Sequence, residues 1–135
     1  MRELNVAELT NTIARLFQEA CHRLPDDVVE ALRSARDREE SDASRDILDR
    51  LLENAELAPR EMIPLCQDTG LAVVFIELGQ EVHLVGGDAH AAVEEGVRRG
   101  YDEGYLRKSV VSKPFTARVN TGDNTPADVW IDLVP

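Results

Sequence analysis

The sequence is poor in cysteine, in aromatic residues and in positive charge. Its two cysteines, Cys21 and Cys66, are too few for a disulfide framework in 135 residues and favour the reducing cytoplasm as the compartment. Aromatic residues make up only 4% of the chain, so aliphatic side chains must supply most of a core. The formal net charge of −11 argues against nucleic acid or an anionic membrane surface as a partner. An anionic ligand would need a locally basic pocket.

The sequence also lacks a long apolar run. No stretch reaches the length of a membrane-spanning helix, and the N-terminal residues are amphipathic and charged, unlike a signal peptide. We therefore expect a cytoplasmic protein with no membrane association. The length favours a single domain, residues 1–135, with a helical part at 1–58 and a β-rich part at 59–135.

Apolar residues at three- and four-residue steps predict three helices in the first half. Pro25, followed by two aspartates, has the character of a helix start. Ser41 or Asp42 is expected to cap the third helix. Pro59 and Pro64 are expected to bracket an irregular connection after it.

The second half changes to a strand-like pattern. The segment "LAVVFIEL", residues 71–78, predicts a buried strand, and a turn at Gly79 and Gln80 is expected to lead into a partner strand, "EVHLV". Asp88 can cap a following helix. "VVSKPFTARVN" and "DVWIDLV" are expected to form two more strands, joined by the loop "NTGDNTPA", residues 120–127. The predicted fold class is α/β or α+β, in which one long helix packs on a small mixed sheet.

Cys66 lies in a polar loop, "PLCQDTG", residues 64–70, just before the first strand of this half. A nucleophilic cysteine needs a nearby cation, histidine or helix N-terminus, whereas the neighbouring Asp68 opposes thiolate formation. Metal ligation remains open, because a metal itself keeps a bound thiolate deprotonated. The alternative is a partly buried loop thiol without a chemical task.

Arg107 and Lys108 follow the long helix of the second half. Cations at a helix C-terminus interact favourably with the helix dipole, which is sufficient reason for both residues. The functional alternative is an arginine that binds a carboxylate through its planar pair of donors. The loop "NTGDNTPA" is too long for a tight hairpin and lacks the pattern of a phosphate-binding loop.

Three segments together resemble one family. "PLCQDTG", "GYLRKSVV" and "RVNTGDNTPADVWIDLVP" occur in the order found near the N-terminus of class I fumarate hydratases and L(+)-tartrate dehydratase α subunits. The resemblance covers the chain from about Glu61 onward. It implies an iron–sulfur hydro-lyase that adds water reversibly to fumarate to give malate, with tartrate dehydration as the alternative.

The resemblance also implies roles for individual residues. Cys66 corresponds to one of three thiolates that hold a [4Fe–4S] cluster, and Gln67 and Asp68 correspond to residues that contact the substrate. Arg107 corresponds to the arginine that binds a substrate carboxylate. No catalytic residue is assigned within this chain, and the loop "NTGDNTPA" is expected to shape the pocket wall.

The sequence departs from the family pattern because it has no second or third cluster cysteine; Cys21 lies upstream on a predicted helix and is expected to pack in the core. The chain is therefore expected to be part of a longer α subunit, inactive alone, that assembles with the rest of that subunit and a β domain or subunit into a homo- or hetero-oligomer. A non-catalytic binding or assembly module of the same fold is the alternative.

Overall fold

A computed structural model describes residues 1–135. The elements follow in the order β1 (Arg2–Asn5), α1 (Val6–His22), α2 (Asp26–Arg38), α3 (Asp42–Glu61), β2 (Val73–Gly79), β3 (Val82–Val85), α4 (Ala89–Glu103), β4 (Val111–Ser112), β5 (Val119–Asn120) and β6 (Asp128–Val134). This mixture confirms the predicted α/β class. No helix combines the length and the apolar character needed to cross a membrane.

The predicted helix starts are confirmed. Pro25 precedes the first residue of α2, and the hydroxyl of Ser41 accepts a hydrogen bond from the Ser44 amide at the start of α3. The carboxylate of Asp88 accepts from the Ala91 amide, at 2.8 Å, at the start of α4. These side chains satisfy amides that have no partner inside the helix.

The expected break at Pro59 is wrong, because α3 continues through it to Glu61. A proline inside a helix removes one amide donor, and its ring crowds the preceding turn. Here it lies in the last turn, so few helical hydrogen bonds remain beyond it. The helix ends at Met62, which adopts a left-handed conformation and donates its amide hydrogen to the carbonyl of Ala58.

The strands pair differently from the sequence-based prediction. They form three two-stranded sheets, and β3 is not the hairpin partner of β2: β2 pairs in parallel with β6, and β3 pairs in parallel with β1. The strand β1 was not predicted. Its pairing sets Leu4 beside Leu84, and the β2–β6 register sets Val74 beside Val129. Both pairings join residues far apart in sequence, which a local pattern does not show.

The segment "VVSKPFTARVN" is not one strand. It forms a short antiparallel pair, in which β4 and β5 are two residues each, with a turn between them. Lys113 and Arg118 have positive φ angles of 50° and 48° at the two ends of that turn. Pro114 lacks an amide donor, which further disfavours a continuous ladder.

The core lies between α1, α4 and the inner face of β2 and β6. Its buried members are Ile13, Ala72, Val74, Val93, Val97, Tyr101 and Leu106. Gly96 permits the close approach of the two helices, because a Cβ atom there would lie 2.7 Å from the Cβ of Ile13. Cys21 packs against this core, as predicted.

Candidate functional site

The loop that carries Cys66 connects α3 to β2. Cys66, Gln67 and Asp68 are all exposed. Cys66 is therefore not the partly buried thiol that the alternative without a chemical task assumed. Backbone contacts fix the base of the loop: the amide of Leu65 donates to the carbonyl of Cys21 at 2.9 Å, and its carbonyl accepts from the Asn54 side chain at 2.8 Å. The three candidate side chains therefore project from an anchored loop.

Arg107 is held next to this loop through its backbone. The hydroxyl of Thr69 donates to the carbonyl of Arg107. The Arg107 side chain is exposed and forms no ion pair, whereas its neighbour Lys108 contacts Asp102 at 2.7 Å. Lys108 thus has a structural partner, and the guanidinium of Arg107 remains available for a carboxylate.

Tyr101 holds the same loop from the core side. It is buried at the C-terminal end of α4, and its hydroxyl donates to the carbonyl of Thr69 at 2.7 Å. Burial, with a smaller contribution from the Cys21 thiol, raises the pKa of Tyr101 to about 12. The hydroxyl therefore remains a donor throughout the neutral range.

Asn124, in the loop "NTGDNTPA", joins the three segments that carry the resemblance. Its side chain is fully buried, and its Oδ1 accepts from the amides of Ser109 and Val110 at 2.6 and 3.0 Å. Its Nδ2 donates to the carbonyl of Gly70 at 3.1 Å. One amide side chain thereby fixes the cysteine loop and the arginine segment relative to each other.

The segment that begins at Arg107 is rich in basic residues. Residues 107–118, "RKSVVSKPFTAR", contain four cations and no acid, although the whole chain carries a net charge of −11. Lys113 and Arg118, like Arg107, are exposed and form no ion pair. The sequence signal for this run is its local charge, which the net charge of the whole chain conceals. The charge of the run has the sign that attracts anions.

The donor set of this chain does not complete an iron–sulfur site. No group of three or more His, Cys, Asp or Glu side chains is placed to hold a metal ion. Cys66 is an accessible thiol, whereas Cys21 is half-buried. Burial is the main cause that raises the pKa of the Cys21 thiol, and the nearby Cys66 is a second, smaller cause. Because cysteine thiolates hold such clusters together, the exposed Cys66 fits as one ligand, and these 135 residues do not supply the others.

The shifted pKa of Tyr101 predicts a pH dependence of stability. Its folded-state pKa, about 12, lies above the ordinary value of 10, so the folded protein holds the phenolic proton more tightly. We expect the free energy of unfolding to fall as the pH rises from about 10 to about 12. Denaturant unfolding over this range measures the effect.

Two variants separate Tyr101 from other groups that titrate at high pH. Tyr101→Phe is expected to destabilise the protein at neutral pH by about 1–2 kcal/mol, because the Thr69 carbonyl loses its donor, and to flatten the alkaline decline. Tyr105→Phe, at an exposed tyrosine, is expected to change neither. An alkaline decline of equal slope in both variants would contradict the assignment.

Comparison with known proteins adds an independent observation. The fumarate hydratase (Fumerase) family model matches residues 10–135. This range includes most of α1, the cysteine loop, Arg107 and Asn124. The match thus spans the elements that build the candidate site.

Individual relatives carry related names. The chain is 34% identical over 125 residues to the putative L(+)-tartrate dehydratase subunit alpha of Methanocaldococcus jannaschii, which covers 88% of this chain. It is 31% identical over 133 residues to the L(+)-tartrate dehydratase subunit alpha of Escherichia coli (strain K12), which covers 96%. In both comparisons the chain spans 43% of the relative's length.

Proposed function

The chain belongs to the fumarate hydratase (Fumerase) family, and we propose from this that residues 1–135 form one domain of a hydro-lyase α subunit. The proposed reaction is the reversible addition of water to fumarate, which gives malate. The observation that carries the proposal is the convergence of three segments, the cysteine loop, the Arg107 segment and the Asn124 loop, within a family match that spans nearly the whole chain.

Each candidate residue has a task suited to its chemistry. Arg107 binds a carboxylate of the substrate through two parallel N–H donors. Gln67 and Asp68, on the loop that Thr69 links to the Arg107 backbone, contact the substrate as well. Cys66 contributes one thiolate to an iron–sulfur cluster whose remaining ligands, together with a β domain or subunit, lie outside this chain; when bound, the cluster supplies Lewis-acid chemistry.

The positive charge at Arg107 also serves the chemistry. Hydration of a dicarboxylate, or its reverse, passes through a state in which negative charge accumulates next to a carboxylate. Fixed cations lower the energy of that state more than they lower that of the ground state. Arg107 begins a run, residues 107–118, that contains four cations and no acid, which is charge of the required sign in this part of the chain.

Dehydration of L(+)-tartrate is the second candidate, because the relatives carry that name. A single experiment compares the two. The native assembly, purified anaerobically from its source, is assayed for fumarate hydration and for L(+)-tartrate dehydration, and kcat/KM is measured for each. We expect fumarate to be preferred. A higher kcat/KM for tartrate would transfer the assignment to the second candidate, and turnover of neither would overturn the hydro-lyase proposal.

Replacing Arg107 with alanine is expected to weaken substrate binding. A hydrogen bond to a charged group contributes about 1.5–3 kcal/mol, so KM should rise roughly 10- to 150-fold, and kcat should fall by a smaller factor because the cation also stabilises the charge that accumulates during the reaction. Steady-state kinetics of the native assembly measure both constants. Arg60→Ala removes an exposed arginine of α3 and should leave both constants unchanged. An unchanged KM in Arg107→Ala would contradict the carboxylate assignment.

A further inference from the structure

The outer face of the β2–β6 sheet presents large apolar side chains to solvent. We use "outer face" for Val73, Phe75 and Glu77 of β2 with Asp128, Trp130 and Asp132 of β6, the residues opposite to those that meet the core. Phe75 and Trp130 are register partners, and they are 78% and 59% exposed. Two of the six aromatic residues of the chain therefore lie side by side in water.

A parallel sheet rarely leaves one of its faces exposed to solvent. Because parallel strands occur almost only in sheets covered on both faces, their sequences are continuously apolar rather than alternating. The β2 sequence, "VVFIELG", is apolar over its first four residues and is interrupted only by Glu77. Each of the two strands also pairs on one side only. The sequence of β2 is thus suited to a second covering layer.

The apolar surface continues past the edge of β2. Val73 and Phe75 also line a groove of about 210 Å³ between β2 and α1, whose other lining residues are Ile13, Leu16, Phe17, Ala20 and Val74. All seven are hydrophobic. A contiguous apolar surface that extends over several elements marks an interaction site rather than a scattered exposure.

The charges on the outer face select among possible occupants. Glu77, Asp128 and Asp132 lie on it and form no ion pair, and none of the six outer-face residues is a Lys or Arg, although Arg2 lines a neighbouring cavity together with Glu77. A second copy of this chain would bring like charges together, which disfavours self-association. A partner with an apolar patch bordered by Lys or Arg is complementary to the face.

The length of the relatives indicates where such a partner comes from. The chain spans 43% of their length, so more than half of each relative has no counterpart among these residues. We propose that the outer face and its adjoining groove form the docking surface for the polypeptide that corresponds to this remaining part of the α subunit. The inference rests on the proposed function only in that the chain is taken as part of a longer hydro-lyase subunit.

Hydroxyl-radical footprinting with mass spectrometry tests the proposal residue by residue. The oxidation rates of Phe75 and Trp130 are compared between the isolated 135-residue chain and the native protein from its source. We expect both rates to fall at least about fivefold in the native protein. Ile47, 60% exposed on α3, serves as the control that remains reactive. Equal rates at Phe75 and Trp130 in the two samples would overturn the proposal.

Zero-length coupling of carboxylates to amines then identifies the occupant. The chain has only two lysines, Lys108 and Lys113. We expect Asp128 or Asp132 to couple to lysines of polypeptide outside residues 1–135. Coupling only to Lys108 or Lys113 of another copy, or protection of Trp130 that grows with the concentration of the isolated chain, would show self-association and overturn the proposal.

A variant pair completes the test. The double variant Phe75→Glu and Trp130→Glu should raise the dissociation constant of the isolated chain for the remaining polypeptide at least about tenfold, whereas Ile47→Glu should leave it unchanged. Because all the altered side chains are exposed, circular dichroism of the isolated chain should be unchanged. Neither footprinting nor coupling depends on turnover. If Phe75 and Trp130 are protected in a protein that hydrates no dicarboxylate, the docking surface is supported and the proposed function fails. If the protein is active but these residues are not protected, the proposed function is supported and the docking surface fails.

Discussion

Cys66→Ser is expected to reduce both the iron content and the hydro-lyase activity of the native assembly to background. A serine hydroxyl has the size of the thiol but is a poor ligand for iron–sulfur clusters, which are held by thiolates. Cys66 is exposed on its loop, and its sulfur makes one weak contact, 3.7 Å from the carbonyl of Asp68. Substitution should therefore leave the fold unchanged and remove only the chemistry.

Cys21→Ser is the matched control for that experiment. Cys21 is half-buried against the core, and the carbonyl that anchors Leu65 belongs to its backbone, which the substitution retains. The variant should lose at most about 1–2 kcal/mol of stability and keep its iron. Iron content and activity are measured anaerobically in both variants. Normal iron in Cys66→Ser would show that Cys66 is not a ligand, and iron loss in both variants would point to a general packing effect.

Local features of the fold could be predicted because local physics determines them. Asp88 and Ser41 cap their helices as expected, since a side-chain oxygen satisfies amides within three residues of it. The long helix expected after Asp88 is α4, and it buries Ala92, Val93, Val97 and Tyr101 on one face. By contrast, the parallel pairing of β1 with β3 depends on contacts between residues about 80 positions apart, and nothing within the short segment "RELN" indicates a strand.

The candidate site shows the same division. Cys66, Gln67, Asp68 and Arg107 were identified from short motifs, and the structure places the two motifs next to each other through Thr69. The sequence did not show why they lie together. The reasons are the buried hydroxyl of Tyr101 and the buried side chain of Asn124, whose partners lie in other segments. Composition does not indicate which of the two asparagines in the loop, Asn120 or Asn124, is buried.

Asn124→Ala is expected to give the largest loss of stability among the site substitutions. It leaves the amides of Ser109 and Val110 and the carbonyl of Gly70 without their partner in a fully buried position. Each unsatisfied buried group costs about 1–3 kcal/mol, and partial access of water reduces the total, so we expect a loss of about 3–4 kcal/mol. Denaturant unfolding of the 135-residue chain measures it.

Two further variants divide that loss into its causes. Asn124 has a φ angle of 62°, a conformation that costs alanine about 1 kcal/mol more than glycine, so Asn124→Gly should be less destabilising than Asn124→Ala by about that amount. Asn120→Ala, in the same loop, removes hydrogen bonds to Lys108 and Gly122 that are exposed to water and should cost less than about 1 kcal/mol.

Hydrogen exchange provides a residue-specific measurement of the same claim. If Asn124 fixes the arginine segment to the cysteine loop, the amides of Ser109 and Val110 should lose protection in Asn124→Ala and keep it in Asn120→Ala. Equal unfolding midpoints and equal protection in the two variants would contradict this role. Asn124 lies outside the group of residues expected to contact substrate. If activity falls together with the amide protection, catalysis depends on the relative position of the cysteine loop and the arginine segment.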